Sequence, residues 1–247
     1  MRSSSSTPSV FQTTKNAMIL SLGLLFGLGV IGVSIQQAAV TLKEYERSVT
    51  VKGLAEQEYP ADTVIWPIQY TVTGNDLPHL LATIDTQTEW VEAFLAQQHI
   101  PMTDVSRSAP VMIDKKAQQY SDAGNIEYRY LVTQTLTVHS HQVNLVRQAT
   151  TAIGELGKKG LILNQDPYQS RATYTFTQLN DIKPMMIEQA TQHARKVAQK
   201  FAHDSKSTLG KIKRASQGQF TISDRDQDTP YIKKVRVVST IEYYLSD

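Results

Sequence analysis

The segment Ala17–Ile35, AMILSLGLLFGLGVIGVSI, runs for nineteen residues without a charged side chain. At about 1.5 Å of rise per residue a helix of this length is roughly 28 Å long, close to the ~30 Å hydrocarbon core of a bilayer. Everything after it is therefore expected to be a domain held beside a membrane. A cleavable leader has a shorter apolar region, about 7 to 15 residues, and ends at a small-x-small site. Here the run is longer and the exit is poor: Gln36 stands two places before Ala38, and Gln37 two places before Ala39. An uncleaved signal-anchor over residues 17–35 follows. Of the flanking basic residues, Lys15 lies nearest the apolar run, against Lys43, Arg47 and Lys52 beyond its far end. That placement puts the amino terminus inside and the domain outside. Gly23 and Gly27 form a Gly-x-x-x-Gly pair, a spacing that allows two such helices to approach closely but that more often has no specific meaning, since glycine is common in spanning helices.

Charge excludes one class of partner. The chain carries 25 basic and 23 acidic residues, and Arg2 and Lys15 are the only charged residues before position 36, so the rest is neutral overall. A neutral ectodomain lacks the basic footprint that holds phosphate backbones, and no nucleic-acid partner is expected. The absence of cysteine removes disulfides, thiolate metal sites and cysteine nucleophiles.

Residues 1–16, with Ser3–Ser6 and Pro8, have the composition of a disordered tail, and residues 36–46 that of a juxtamembrane spacer. In Arg47–Leu54, Val49, Val51 and Gly53 alternate with polar neighbours, a strand pattern repeated in Thr63–Thr73 by Val64, Trp66, Ile68, Tyr70 and Val72. Tyr59-Pro60-Ala61-Asp62 is the turn between them. From Asp76 the period changes: Leu77, Leu81, Ile84, Thr88, Val91 and Leu95 mark an amphipathic helix. Val105–Ile113 and Ile126–His139 then pair across Ser121–Asn125. Val146, Ala149, Ile153 and Leu156 mark a second helix, stopped by Gly157 and Gly160. Tyr168–Phe176 is a further strand. A third helix, Asp181–Ser205, carries Ile187, Ala190, Ala194, Val197, Ala198 and Phe201 on its inner stripe, and Leu209–Phe220 with Tyr231–Leu245 closes the chain as a strand pair. The order ββαββαβαββ predicts an α+β fold of antiparallel sheets with helices on one face, an imperfect internal duplication preceded by one transmembrane helix.

Three blocks of residues 47–247 resemble the SIMPL domain family of bacterial envelopes. They are Val49–Gly53 through Pro60-Ala61-Asp62; Tyr128–Val138 running into a helix after His141; and Ala190-x-x-x-Ala194-Arg195-Lys196-Val197-Ala198 through Leu209-Gly210-Lys211-Ile212, with the closing strand Val235–Leu245. The resemblance implies an extracytoplasmic α+β protein that assembles into large homo-oligomers, in some members ring-like, with links to oxidative or envelope stress. It implies no catalytic residues.

The chemistry-bearing clusters have plain structural readings. His139-Ser140-His141 places two imidazoles at a strand end without a local third ligand. Asp224, Asp226 and Asp228 start like a calcium loop, but Thr229 stands where glycine should be and Val235 where the bidentate glutamate belongs; a solvated hairpin loop fits better. Gly157-Lys158-Lys159-Gly160 lacks phosphate-loop spacing and reads as a helix stop. His193, Arg195 and Lys196 form a solvated helix face. Trp66, Tyr70, Tyr128 and Tyr130 read as core or interface, and Trp90 as either. No catalytic, cofactor or metal residue is assigned.

The function expected is a non-enzymatic protein of the inner membrane, single-pass, with a periplasmic domain that self-associates and supports stress tolerance. The alternatives are a carrier of a small ligand, favoured by a closed apolar cavity, and an enzyme with a dispersed site, favoured by titratable residues in a deep pocket. Phe201 at the end of its stripe makes Phe201→Ala expected to cost about 3 to 5 kcal/mol. The long terminal strand Tyr231–Leu245 is expected at a sheet edge, where it would pair with another chain, so that residues 40–247 alone should form a discrete oligomer. For the anchor, the mature protein is expected to keep Lys15 and to stay in the membrane after alkaline carbonate washing. Recovery of a soluble form starting near Ala39 or Val40 would show cleavage instead.

Overall fold

The structure is a computed structural model, and it describes residues 10–117, 127–164 and 170–246. In chain order the elements are α1 (Val10–Glu46), β1 (Ser48–Pro60), β2 (Thr63–Gly74), α2 (Leu77–Gln97), β3 (Val105–Arg107), β4 (Val111–Asp114), β5 (Tyr130–Ser140), α3 (Val143–Ala152), α4 (Gly154–Lys158), β6 (Thr173–Thr175), α5 (Leu179–Asp204), β7 (Thr208–Gln217), β8 (Thr221–Asp224) and β9 (Ile232–Ser246). This is the expected α+β class with antiparallel sheets. α1 is longer than the apolar run, taking in Val10–Asn16 and Gln36–Glu46, the stretches expected as tail and spacer. Within it, Leu20–Gln37 is long and apolar enough to cross a membrane, by length and composition, and none of that stretch is buried.

The chain divides into two compact units. The first takes Met1–Leu54, Gln189–Gly218 and Val238–Asp247. Its sheet has the order β1-β9-β7. Here the expected edge strand is a correction: β9 lies between β1 and β7, and β7 is the edge. An alternating pattern marks a strand with one buried face, but it carries no information on which strands flank it.

The helical stripe is also corrected. Ala190, Ala194, Ala198 and Ala202 are buried at every fourth position of α5, whereas Phe201 is 56% and Val197 40% exposed. The alanines are small because the backbone beneath them is close: a Cβ added at Gly53 would stand 1.8 Å from the Ala190 carbonyl oxygen and 2.5 Å from the Ala194 nitrogen. Ala194 and Ala198 pack with Val51, Ile241 and Tyr243 into one small core. Size is thus a misleading guide on this helix. Where helix and strand approach this closely a phenylalanine does not fit, and positions 197 and 201 fall about 100° round the helix from 198 and 202.

The second unit, Ala55–Glu188 and Gln219–Val237, is built on a five-stranded sheet of order β3-β5-β2-β6, with β4 also pairing β5. β2 and β5 run antiparallel from Val64 opposite Ser140 to Gly74 opposite Tyr130. The alternation read in β2 is obeyed: Val64, Trp66, Ile68, Tyr70 and Val72 are all buried, against Val132, Leu136 and Val138 of β5 in the same cluster. Leu80, Ile84, Val91 and Leu95 of α2 join this core. The buried Tyr70 hydroxyl hydrogen-bonds Thr88 Oγ1 at 2.5 Å, which accounts for a threonine on the inner stripe. β8 pairs Lys233–Arg236 of β9 within this unit.

Several boundaries shift for local reasons. Val105–Ile113 is two short strands, because Pro110 interrupts between them and has no N–H to give the ladder. The second helix breaks at Ile153–Gly154 into α3 and α4. The strand expected from Ile126 begins at Tyr130, leaving Tyr128 42% exposed. That expected over Tyr168–Phe176 shrinks to β6, with Tyr168 outside the described residues, as is the expected turn at Ser121–Asn125. Leu209–Phe220 ends as β7 at Gln217.

A denaturant series separates the two readings of α5. Phe201→Ala is expected to change stability by less than about 1 kcal/mol, as exposed sites usually do. Gly53→Ala is expected to cost about 3 kcal/mol or more, because the added methyl meets backbone that cannot rotate away. Urea midpoints of the two variants check both.

A cleft beside β2 and α3 as the candidate functional site

The second unit contains a cleft of about 700 Å³. Its floor comes from β2, where Trp66 and Ile68 are core residues while Pro67 and Gln69 are half-exposed. One wall is α3, which contributes Arg147 and Thr150, continued by Ile153; the others come from Leu163 and Asn164, from Ser170–Ala172 and Tyr174, and from the hairpin before β9 with Asp228 and Tyr231. Strand alternation explains the floor, since residues 66 and 68 point one way and 67 and 69 the other.

The polar groups are fixed by local bonds. The Arg147 guanidinium stacks over the Tyr231 ring at 4.3 Å from its centroid, and Tyr174 meets the same ring edge-on at 6.1 Å. Arg171 Nη2 donates to the Gln227 carbonyl at 2.6 Å. Asn164 Nδ2 donates to Gln69 Oε1 at 2.6 Å, and the Asn164 N–H donates to the Gln69 carbonyl at 2.8 Å, which docks the segment after α4 against β2. Ser170 Oγ is shielded from solvent and has no hydrogen-bond partner among the described residues. Burial pushes the Tyr174 phenol up from its usual value, and the Arg147 and Arg171 charges pull against that. The cleft is therefore not the closed apolar cavity expected of an apolar-ligand carrier.

Elsewhere, the residues singled out in the sequence stay apart from the cleft, Trp66 and Asp228 excepted. His139 and His141 are exposed, their rings edge-on at 6.0 Å. His141 Nδ1 lies 3.1 Å from Thr63 Oγ1 and 3.2 Å from the Asp62 carbonyl. Among the described residues no group of three metal-ligating side chains comes together. Asp226 caps its own loop, accepting from the Thr229 N–H at 2.7 Å and the Asp228 N–H at 2.9 Å as well as from Arg225 and the Thr229 hydroxyl, while Asp224 pairs with Lys233. The hairpin reading of the three aspartates stands. Gly160 has φ +89° and its N–H reaches the Gly157 carbonyl at 3.0 Å, a helix stop. His193 is exposed, as read, and its Nδ1 also lies 2.6 Å from the Leu54 carbonyl of β1. Tyr70 is core; Tyr130 is half-buried, with Arg129 over its ring at 4.9 Å; Trp90 packs partly buried against the core.

Sequence reasoning missed Arg147, Ser170, Arg171, Tyr174 and Tyr231, because they come from three stretches far apart in the chain. The signal available was an arginine among the apolar positions Val146 and Ala149 of an amphipathic helix. It also assigned Asp62 only to a turn. The Asp62 carboxylate in fact accepts from the Thr177 N–H at 2.7 Å, the Gln178 N–H at 3.2 Å, the Thr177 hydroxyl at 3.0 Å and the Thr63 hydroxyl at 2.8 Å. It clamps the strand turn onto the chain just before α5.

The chain belongs to the SIMPL family, described as a protein of unknown function (DUF541), whose model matches residues 49–241. No match is found among curated proteins.

The clamp predicts a pH dependence. Burial alone would raise the Asp62 pKa, but the Thr177 and Gln178 N–H groups and the Thr63 and Thr177 hydroxyls outweigh it and hold the carboxyl below the ordinary 3.8. Asp226, held by Thr229 and Arg225, falls to about 2. Depressed carboxylates stabilise the fold fully above their unfolded value and lose that contribution as pH falls through the folded one. Asp62→Ala is expected to cost about 1 to 2 kcal/mol at pH 7. The gap from the wild type should narrow as pH falls below 3.8, and denaturant midpoints across that window read it; a gap that stays constant would mean the carboxylate is not the clamp.

Proposed function

We propose that this SIMPL protein is a non-enzymatic, single-pass protein of the inner membrane. In this reading α1 is retained as an anchor, and the domain after it is periplasmic, self-associates and serves envelope or oxidative-stress tolerance. The observation that carries the self-association is β7. Every residue of Thr208–Gln217 except Leu209 is exposed, and the strand lies at the end of its sheet. Such an edge offers unpaired backbone groups to another strand. Ile212 on β7 is 49% exposed, and Val197 and Phe201 lie exposed one turn apart on α5. The occupant is a second copy of the chain. Lys211, Lys213 and Arg214 oppose the pairing of two β7 edges with each other, which leaves β1, the other end of the same sheet order, as the partner edge. A β7-to-β1 contact is head-to-tail, and closes into a ring or runs on as a filament.

Light scattering of the full chain in detergent is expected to give a discrete oligomer. Ile212→Lys should shift it to smaller species with an unchanged circular dichroism spectrum. A monomer at high micromolar concentration would remove this function.

A further inference from the structure

Among the described residues, one charge in the cleft of the second unit has no ion-pair partner. Arg147 is half-buried, and among the described residues its guanidinium N–H groups donate to no acceptor and meet no carboxylate; the group stacks on the Tyr231 ring, 4.3 Å from its centroid. Stacking of this kind engages the flat face of the guanidinium and stabilises the cation by ~1 kcal/mol. It leaves the in-plane N–H fork open, and that fork matches the two oxygens of a carboxylate or phosphate. Arg171, also in the lining, uses one N–H on the Gln227 carbonyl and has others to give. Ser170 Oγ, solvent-shielded and unpartnered among the described residues, is a third donor in the same lining. Asp228 is the one carboxylate among the lining residues; it is exposed, so the two guanidiniums outnumber it. Around these donors stand Trp66, Ile153, Leu163 and Tyr174.

We infer that this cleft binds a small organic anion with an apolar or aromatic body, its carboxylate or phosphate held by Arg147 and Arg171 and its body lying against Trp66, Ile153 and Leu163. The volume of about 700 Å³ suits such a molecule, falling inside the ~300–1,000 Å³ range of small-molecule sites. The pair of arginines supplies orientation and charge selection, and the apolar walls supply most of the buried area. Burying a guanidinium without a counter-charge is costly, and a bound anion removes that cost. The site requires neither catalysis nor any oligomeric state, so it stands or falls separately from the assembly reading.

The test is isothermal titration of the full chain in detergent, against the same micelles without protein, with 1-naphthoate, 1-naphthyl phosphate and the neutral 1-naphthamide. Saturable binding of at least one anion is expected, at least tenfold tighter than the amide. The better of the two anions tells a carboxylate ligand from a phosphate one. Arg147→Gln and Arg171→Gln should each weaken that anion tenfold or more, with thermal midpoints near the wild type. Lys158→Gln, on α4 and outside the cleft, should leave binding unchanged. Where Arg147→Gln does not fold, Arg147→Lys serves: it keeps the charge and loses the fork, and should still weaken the anion. Equal binding of anion and amide, equal binding by wild type and the arginine variants, or no saturable binding at millimolar probe would overturn the inference.

Discussion

The pairing of β2 with β5 is the interaction on which the second unit depends. Its register, from Val64 opposite Ser140 to Gly74 opposite Tyr130, is unbroken. Because strand side chains alternate with a period of two, this one register decides what is core and what is surface along both strands. It places Trp66, Ile68 and Tyr70 inward, where Leu136 and the α2 stripe meet them, and it leaves Gln69 facing outward for Asn164 to bind. A slip of one residue would bury Gln69 and expose Tyr70. The core and the cleft floor are consequences of the same ladder.

Asp62 extends that order along the chain. It sits in the turn leading into β2, yet its carboxylate holds Thr177 and Gln178, more than a hundred residues later and just ahead of α5. A carboxylate that accepts several N–H and O–H bonds at once keeps its charge in a partly buried place because each donor offsets lost hydration. Arg147 is the contrasting case: a half-buried charge with one aromatic face for company and no acid among the described residues. The first arrangement is complete in itself; the second has no acidic partner among the described residues.

The family match begins at residue 49, so the apolar stretch Leu20–Gln37 lies outside the part shared with the family. Membership of the SIMPL family thus rests on the domain alone, while the helix before it is long and apolar enough to cross a membrane, with none of that stretch buried.

What the sequence determined by itself was everything carried by local periodicity. The apolar helix, the alternation of Val64 to Val72, the α2 stripe and the stop at Gly157–Gly160 are all legible because each depends on neighbours within a turn or two of chain. What only the tertiary structure decided was how far elements stand apart and which of them are adjacent. Phe201 looked buried because it is large and in phase, but the close approach at Gly53 admits only the alanines of α5. The terminal strand looked like an edge because it comes last, but β1 and β7 flank it. The cleft was invisible for the same reason: Arg147, Ser170, Arg171 and Tyr231 share no spacing, and only the packing of α3, β2 and the hairpin before β9 turns separate polar residues into one lining.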